Sequence, residues 1–303
     1  MDHKCPLCNS ENFVNIGNPE FNEISMNLID RDYKVVKCLN CSAYFVDPQI
    51  TFSDEQWSLL YNSEYFDDQS DWLVRKRVKE LSARLNKIFS FSKSKTEKLK
   101  LLDIGTGEGK TLIEGYKRGW EVTGIDIVDN RIDLAKNDKI TFIQGKFIET
   151  VFPDDYFDII YVDSVLEHVL IPKEYLLKIN KLLKPGGVVY IGVPNEDSLF
   201  NDIKKISLSI SGNSILSSKI KPFKNPYHIF GFNRKSIEYV IKRTNFEILE
   251  ISNFGRKFNF LGHKINQRGF WIGFFILFPL EFFSKFIGKD VYFEAYLTKA
   301  ADK

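Results

Sequence analysis

Four cysteines near the start of the sequence form two closely spaced pairs. Two residues separate Cys5 from Cys8 and Cys38 from Cys41, and 29 residues lie between the pairs. Two such pairs in a reduced chain are typical of a tetrahedral zinc site, in which four thiolates leave no open coordination position. We therefore expect a structural zinc ribbon, and the alternative is four free thiols.

A second group of residues has the composition of a nucleotide-binding loop. Residues 103–109 read Asp-Ile-Gly-Thr-Gly-Glu-Gly, so single residues separate the three glycines. The dinucleotide fingerprint has two residues between its second and third glycines, which argues against NAD. Asp126 follows about 20 residues later, where a carboxylate can accept hydrogen bonds from both hydroxyls of a ribose. The alternative is that Asp126 caps the next predicted helix.

The hydrophobic pattern predicts the scaffold that positions these residues. Short apolar runs alternate with amphipathic segments, which is typical of βαβ units around a parallel sheet covered on both faces. The strands are predicted at 99–104, 120–125, 140–143, 157–162 and 188–193, and the helices at 111–118, 130–136, 174–183 and 234–243. The glycine loop and Asp126 each follow a strand, at the edge where open α/β sheets bind ligands. We expect a Rossmann-like α/β fold.

Several motifs in this order resemble those of class I S-adenosylmethionine-dependent methyltransferases. They are Leu102–Gly109 at the loop, Asp126 after the second strand, Tyr156–Ile160 at the fourth strand and Leu183–Gly187 before the fifth. The resemblance covers residues 97–200 strongly and 226–299 more weakly. It implies a seven-stranded sheet with helices on both faces and an antiparallel last strand. Strands six and seven are then expected at 246–251 and 291–297, with an insertion at about 254–288.

The resemblance also implies S-adenosyl-L-methionine as the cofactor, with the glycine loop curving around its methionine part. The predicted cofactor-binding residues are Asp103, Gly105, Thr106, Gly107, Gly109, Asp126, Ile127, Lys146, Phe147 and Asp163. Lys146 departs from the family, because many relatives have an acid there that meets the adenine amino group, and lysine cannot accept a hydrogen bond. Phe147 either stacks on adenine or belongs to the core.

Candidate catalytic residues follow the fourth strand. Glu167 and His168 resemble the Glu-His pair of many small-molecule methyltransferases. Some relatives have a further glutamate where this chain has Ser164, so a catalytic metal is not expected. His168 is either a general base or a structural hydrogen-bonding residue at the start of a helix. His228 and Tyr227 are further catalytic candidates, and a structural loop role is their alternative.

The 303 residues divide into a zinc ribbon at 1–50, a helical connector at 51–96 and a methyltransferase domain at 97–303. The ribbon, followed by the segments 44–48 and 60–66, resembles bacterial zinc-ribbon methyltransferases of polysaccharide, sugar and natural-product pathways. This implies a small-molecule, sugar or glycan-precursor acceptor. An RNA methyltransferase and a non-catalytic scaffold of the same fold are the alternatives. A net charge of +2 argues against a nucleic-acid partner.

One apolar run lies outside these motifs. Residues 270–280 are too few to span a bilayer, which takes about 20. The longer segment 269–283 is therefore either a buried helix packed on the sheet or a membrane-surface patch that reaches a lipid-linked substrate. Because the first residues lack the apolar stretch of a secretory signal, we expect a cytoplasmic protein.

Overall fold

A computed structural model describes residues 3–28, 31–50, 52–53, 55–56, 71–93, 98–210, 220–223, 227–255 and 265–301. Within them the chain forms a sheet of four strands and a sheet of seven strands. The motif at 60–66, part of the predicted connector and part of the predicted insertion lie outside the described residues.

The smaller sheet joins the cysteine region to a later part of the chain. Its strands are β1 (Phe13–Gly17), β2 (Lys34–Cys38), β3 (Tyr44–Asp47) and, far along the sequence, β9 (Phe230–Gly231), in that order and all antiparallel. A short helix, α1 (Glu23–Met26), lies between β1 and β2. Because β9 pairs with β3, the smaller sheet contains residues from both sides of the domain boundary predicted at residue 50. That boundary remains a prediction.

The larger sheet contains the motifs around the glycine loop. Its strands are β4 (Lys100–Ile104), β5 (Glu121–Asp126), β6 (Thr141–Gln144), β7 (Phe157–Asp163), β8 (Leu183–Pro194), β10 (Phe246–Phe254) and β11 (Tyr292–Lys299). Their order is β10-β11-β8-β7-β4-β5-β6; β4 to β8 pair in parallel, and β11 is antiparallel to both neighbours. The predicted Rossmann-like seven-stranded fold is confirmed.

Helices cover both faces of the larger sheet. They are α2 (Asp71–Phe91), α3 (Lys110–Lys117), α4 (Pro172–Leu182), α5 (Leu199–Ile210) and α6 (Arg234–Ile241). Apolar residues of α2 and α3 pack against one face, and those of α4 and α6 pack against the other. This arrangement explains why β7 is buried from Phe157 to Val162 without polar alternation.

Two sequence predictions need correction here. The helix expected at 130–136 is only a 3₁₀ turn at Asp133–Ala135. The guanidinium of Arg131 donates to the carbonyl of Ala135 and to the carboxylate of Asp129. These side-chain hydrogen bonds take the place of the backbone hydrogen bonds that a longer helix would make. The fifth strand, predicted at 188–193, is longer at its start, because β8 begins at Leu183 directly after α4.

The apolar segment near the end of the chain is exposed. It comprises α7 (Arg268–Ile272), a π-helical turn at Gly273–Leu277 and α8 (Phe278–Phe286). Exposure is 65% for Phe275, 63% for Phe283 and 73% for Phe286, so the buried-helix interpretation of this segment is wrong. Among the described residues, no helix has both the length and the apolar character that crossing a membrane requires.

Candidate active site

The glycine loop turns the chain sharply from β4 into α3. All three glycines have left-handed backbone angles, with φ of 74° at Gly105, 50° at Gly107 and 79° at Gly109. A Cβ atom on Gly105 would lie 2.4 Å from Cγ2 of Val165, in the segment that follows β7. Glycine is therefore required at this position both by the backbone angle and by the close neighbour.

Asp126 ends β5 and faces the glycine loop. Its Oδ2 accepts a hydrogen bond of 2.8 Å from the amide of Gly107, and its Oδ1 lies 3.5 Å from the amide of Val128. Burial raises the pKa of Asp126, while these backbone donors act in the opposite direction. The alternative helix-capping role is not realised, because the helix predicted at 130–136 does not form.

A cavity of about 310 Å³ opens beside the loop, a size typical of small-molecule sites. Asp103, Gly105, Thr106 and Asp163, four of the predicted cofactor residues, line it. The lining also includes residues that sequence reasoning did not select: Glu80, Arg84, Tyr161, Tyr190 and Glu294. They lie on α2, β7, β8 and β11, and only the folded sheet brings them together.

Arg84 organises one wall of this cavity. Its Nε is 2.6 Å from Oε1 of Glu294 on β11, and its Nη1 is 3.4 Å from Oδ2 of Asp163 at the end of β7. The hydroxyls of Tyr161 and Tyr190 approach the same two carboxylates at 3.2 and 3.3 Å. The wall therefore combines a guanidinium with two carboxylates, and it offers polar contacts to a bound molecule.

Asp103 is the most unusual carboxylate of the cavity. It is 3% exposed, and its Oδ2 has no hydrogen-bond partner among the described residues. Burial, followed by the nearby charges of Asp126 and Asp163, raises the pKa of Asp103 well above its usual range. A buried carboxylate oxygen without a donor is costly, and a cationic ligand group in the cavity would relieve that cost.

The candidate catalytic histidines meet beyond the end of β7. Ser164 has φ of 58° and turns the chain into a 3₁₀ turn at Leu166–His168. The rings of His168 and His228 pack edge to face with centroids 4.9 Å apart, and Nε2 of His228 is 3.9 Å from Oε1 of the buried Glu167. Desolvation lowers the pKa of His168 to about 4, although a hydrogen bond with the backbone of Tyr227 acts in the opposite direction.

Glu167, His168 and His228 each offer a donor atom within 4.8 Å of the others. This spacing suits a shared proton or a bound cation. The three residues do not line the cavity described above, although Ser164 and Asp163, just before them, do. The hydroxyl of Tyr227 lies 3.5 Å from the Asn22 amide nitrogen, so it points toward the N-terminal region.

The remaining predicted cofactor residues do not line this cavity. Nζ of Lys146 is 3.6 Å from Oε1 of Glu149, and Ile127 is 46% exposed. Phe147 is 4% exposed and packs against Tyr175 with ring centroids 5.4 Å apart. The structure thus places Phe147 in the core, the second of its two predicted roles.

The four cysteines form a compact cluster. The sulfurs of Cys5 and Cys41, and those of Cys8 and Cys38, are each 3.5 Å apart, and all four lie within 4.8 Å of one another. Tetrahedral zinc with bonds of ~2.3 Å places its sulfurs about 3.8 Å apart. Hydrogen bonding from Cys41 lowers the pKa of Cys5, while the same bond raises that of Cys41 and burial raises that of Cys38.

The two cysteine turns have matching backbone geometry. The amide of Asn9 donates to the carbonyl of Cys5 at 2.8 Å, and that of Ser42 donates to the carbonyl of Cys38 at 3.0 Å. Both Asn9 and Ser42 have left-handed φ angles, 60° and 64°. Two equivalent turns that point four sulfurs at one centre fit a structural metal site.

The fold and the loop site define a class I S-adenosylmethionine-dependent methyltransferase. A family model described as a methyltransferase domain matches residues 73–251, and the chain belongs to this methyltransferase family. Among solved structures it resembles 1,6-didemethyltoxoflavin-N1-methyltransferase of Burkholderia thailandensis, with a TM-score of 0.54, 15% identity and coverage of 94% of this chain and 100% of that one. At that identity the likeness concerns the fold.

Curated relatives match parts of the chain. A ubiquinone biosynthesis O-methyltransferase of Rickettsia akari is 30% identical over 124 residues, which is 39% of this chain and 46% of the relative. A sterol 24-C-methyltransferase of Gibberella zeae is 33% identical over 99 residues, which is 30% of this chain and 26% of the relative. The chain thus spans less than half of the length of these two relatives.

Proposed function

We propose that the protein transfers a methyl group from S-adenosylmethionine to a small-molecule acceptor. The observation that carries the proposal is the buried Oδ2 of Asp103, which has no donor among the described residues and lines the cavity beside the glycine loop. A ligand with a cationic amine would supply that donor. Such a ligand would fit between the left-handed glycines and Asp163.

The residues present suit the chemical groups of this cofactor. Asp103 would hold the ammonium of its methionine part, and Asp126 beside Gly107 would hold the ribose hydroxyls. When bound, the cofactor supplies an electrophilic methyl group on a sulfonium. The loop and Asp126 fix its orientation, which is the main contribution that a protein makes to such a transfer.

The histidine pair would move a proton where the acceptor requires it. An acceptor hydroxyl loses a proton on methylation, and a neutral imidazole can take it. Desolvation holds His168 neutral at physiological pH. Glu167 approaches Nε2 of His228 and would stabilise the imidazolium form of that ring. We propose His228 as the base, with His168 packed against its ring; this requires the acceptor to extend from the cavity past Ser164 to the histidine pair.

The acceptor is proposed at the level of its class. One relative is named an O-methyltransferase of ubiquinone biosynthesis and another a sterol C-methyltransferase. Oxygen and carbon acceptors therefore both occur among similar sequences. We propose a small organic acceptor, with sugars and glycan precursors as a narrower option that the N-terminal ribbon favours by resemblance. Arg84 and its two carboxylate partners would contact the acceptor from the cavity wall.

We further propose that the cysteine cluster holds structural zinc. Four sulfurs within 4.8 Å and two matching turns support this assignment. The ribbon also contacts the rest of the chain, since the hydroxyl of Tyr44 donates to Asp197 at 2.6 Å and the side chain of Asn233 donates to the carbonyl of Ser42 at 2.8 Å. Zinc would therefore stabilise the side of the molecule that contains His228.

Two measurements test the proposal. Calorimetry with S-adenosylhomocysteine should give binding, and the absence of both heat and a thermal shift would favour a non-catalytic scaffold. Transfer of a labelled methyl group should then be assayed on cell extract fractionated into small molecules, glycans, lipids and RNA. Label in the RNA fraction alone would replace the small-molecule assignment with an RNA methyltransferase.

A further inference from the structure

A continuous apolar surface covers the exposed side of α7, the π-helical turn, α8 and α5. We call it the aromatic surface. Its large side chains are between 39% and 73% exposed: Phe200, Ile203, Ile206, Trp271, Ile272, Phe274, Phe275, Ile276, Phe282, Phe283, Phe286 and Ile287. Single exposed apolar residues are ordinary, but a contiguous patch of this kind marks an interaction surface.

The rings form a row rather than scattered contacts. Ring centroids are 6.5 Å apart between Phe274 and Phe278, 6.3 Å between Phe278 and Phe282, and 5.1 Å between Phe282 and Phe286. This spacing of four residues puts the rings on one side of a continuous helical segment. The surface is therefore presented as a unit.

The aromatic surface is anchored at the edge of the sheet where the cavity opens. Nζ of Lys289 is 2.7 Å from Oδ2 of Asp202, and the amide of Leu199 donates to the carbonyl of Lys289 at 2.9 Å, so the end of α8 is tied to the start of α5. Soon after, β11 begins at Tyr292, and both Tyr292 and Phe293 line the cavity. Only residues 288–291 therefore separate the end of the aromatic surface from the strand that lines the cavity.

The elements that form this surface carry more positive than negative charge. Within α5 and residues 268–289, two side chains are acidic, Asp202 and Glu281, and five are basic: Lys204, Lys205, Arg268, Lys285 and Lys289. Their net charge of +3 exceeds the +2 of the whole chain. Basic residues next to exposed aromatic side chains are the composition that binds anionic lipid surfaces.

This charge pattern selects a membrane over a second copy of the chain. Two copies joined through the aromatic surface would bring two surfaces of net positive charge together, which is unfavourable because like charges repel. An anionic bilayer instead offers opposite charge and an apolar interior to the same residues. The aromatic surface is also too short and too irregular to span the bilayer, so the rings would insert only at the interface.

We propose that the aromatic surface seats the protein on an anionic membrane and holds the cavity mouth at the lipid–water interface. If the proposed function also holds, on which this part rests, a cavity at the lipid–water interface restricts the acceptor class to lipid-soluble or lipid-linked small molecules. The binding step itself requires no methyl transfer.

The test is co-sedimentation of the full chain with vesicles of phosphatidylcholine, with and without phosphatidylglycerol, at low and high salt. We expect sedimentation with the anionic vesicles that weakens as salt increases. The double variant Phe275→Ser with Phe286→Ser should bind about tenfold or more weakly, because it removes two inserted rings. The matched control is Leu134→Ser with Val151→Ser, at positions that are 74% and 92% exposed on another part of the surface.

Three results would overturn the proposal. The wild-type protein could stay in the supernatant with every vesicle, or both double variants could sediment equally. The third is a wild-type dimer that the phenylalanine double variant no longer forms, with vesicle binding by neither protein. Binding of S-adenosylhomocysteine should be the same in the wild type and both variants. A wild-type protein that binds S-adenosylhomocysteine but no vesicle refutes the membrane proposal alone, and a wild-type protein that binds anionic vesicles but not S-adenosylhomocysteine refutes the proposed function alone.

Discussion

Replacing Asp103 by asparagine should weaken cofactor binding without destabilising the ligand-free protein. The substitution keeps the shape of the side chain and removes its charge. In the ligand-free protein that charge is unfavourable, because burial and then Asp126 and Asp163 raise the pKa of Asp103. A raised pKa means that the folded state binds more protons, so wild-type stability falls as pH rises above about 4. The asparagine variant should not lose this stability.

The expected loss of affinity follows from the bond that Asp103 would make. A hydrogen bond between a buried carboxylate and an ammonium contributes about 1.5–3 kcal/mol, which corresponds to a rise in Kd on the order of 10- to 150-fold. The loss should depend on the ligand. S-adenosylhomocysteine has the ammonium, whereas 5′-methylthioadenosine lacks the amino-acid part and should bind the variant and the wild type equally.

Calorimetry with both ligands checks this prediction, with urea denaturation of the ligand-free proteins alongside it. Asp138→Asn, at an exposed position, is the matched control and should change neither affinity. Asp126→Asn should weaken both ligands, because both contain the ribose. Our reasoning about Asp103 is refuted if its variant binds S-adenosylhomocysteine as the wild type does, or if it loses affinity for both ligands to the same extent.

Three further changes test other parts of the site. Gly105→Ala should abolish binding of S-adenosylhomocysteine in calorimetry, because a Cβ would lie 2.4 Å from Val165 at a φ of 74°; unchanged affinity would contradict the loop assignment. Removal of metal by a chelator should release zinc, lower the thermal midpoint and reduce kcat more than cofactor affinity; a preparation without zinc by elemental analysis would remove the ribbon assignment. Desolvation lowers the pKa of His168 in the folded state to about 4. As pH falls below about 6.5, this histidine is protonated in the unfolded state before it is protonated in the folded state. The wild type should therefore lose up to about 3 kcal/mol of stability by pH 4. Denaturation series of wild type and His168→Gln should differ in this pH slope, and parallel slopes would contradict it.

The sequence predicted the sheet well because local patterns determine it. Apolar runs such as residues 157–162 are buried on both faces and can hardly form anything except a central strand. The glycine loop and Asp126 were predictable for the same reason, since each directly follows its strand. The prediction of a helix at 130–136 was wrong because Arg131 hydrogen-bonds to nearby backbone and side-chain oxygens. The periodicity of apolar residues carries no information about such bonds.

Other parts of the site depend on contacts between distant segments. Arg84 reaches Glu294 across 210 residues of sequence, and no local pattern relates the two. The same is true of Phe147, whose burial against Tyr175 is set by the packing of α4 on the sheet. A single sequence identifies aromatic and charged residues at such positions, but their partners are defined only by the fold.

The position of His228 connects the ribbon to the proposed chemistry. Two residues after it, Phe230 and Gly231 pair with Phe45 and Tyr44 of β3, so a strand next to the cysteine cluster fixes the chain just beyond the candidate base. On the other side, the amide of Ile229 donates to the carbonyl of Glu167 at 2.9 Å. The imidazole is thus held between the ribbon and the end of β7. Loss of zinc would loosen β3 and with it the distance between His228 and Glu167, which is why the chelator should affect turnover before it affects cofactor binding.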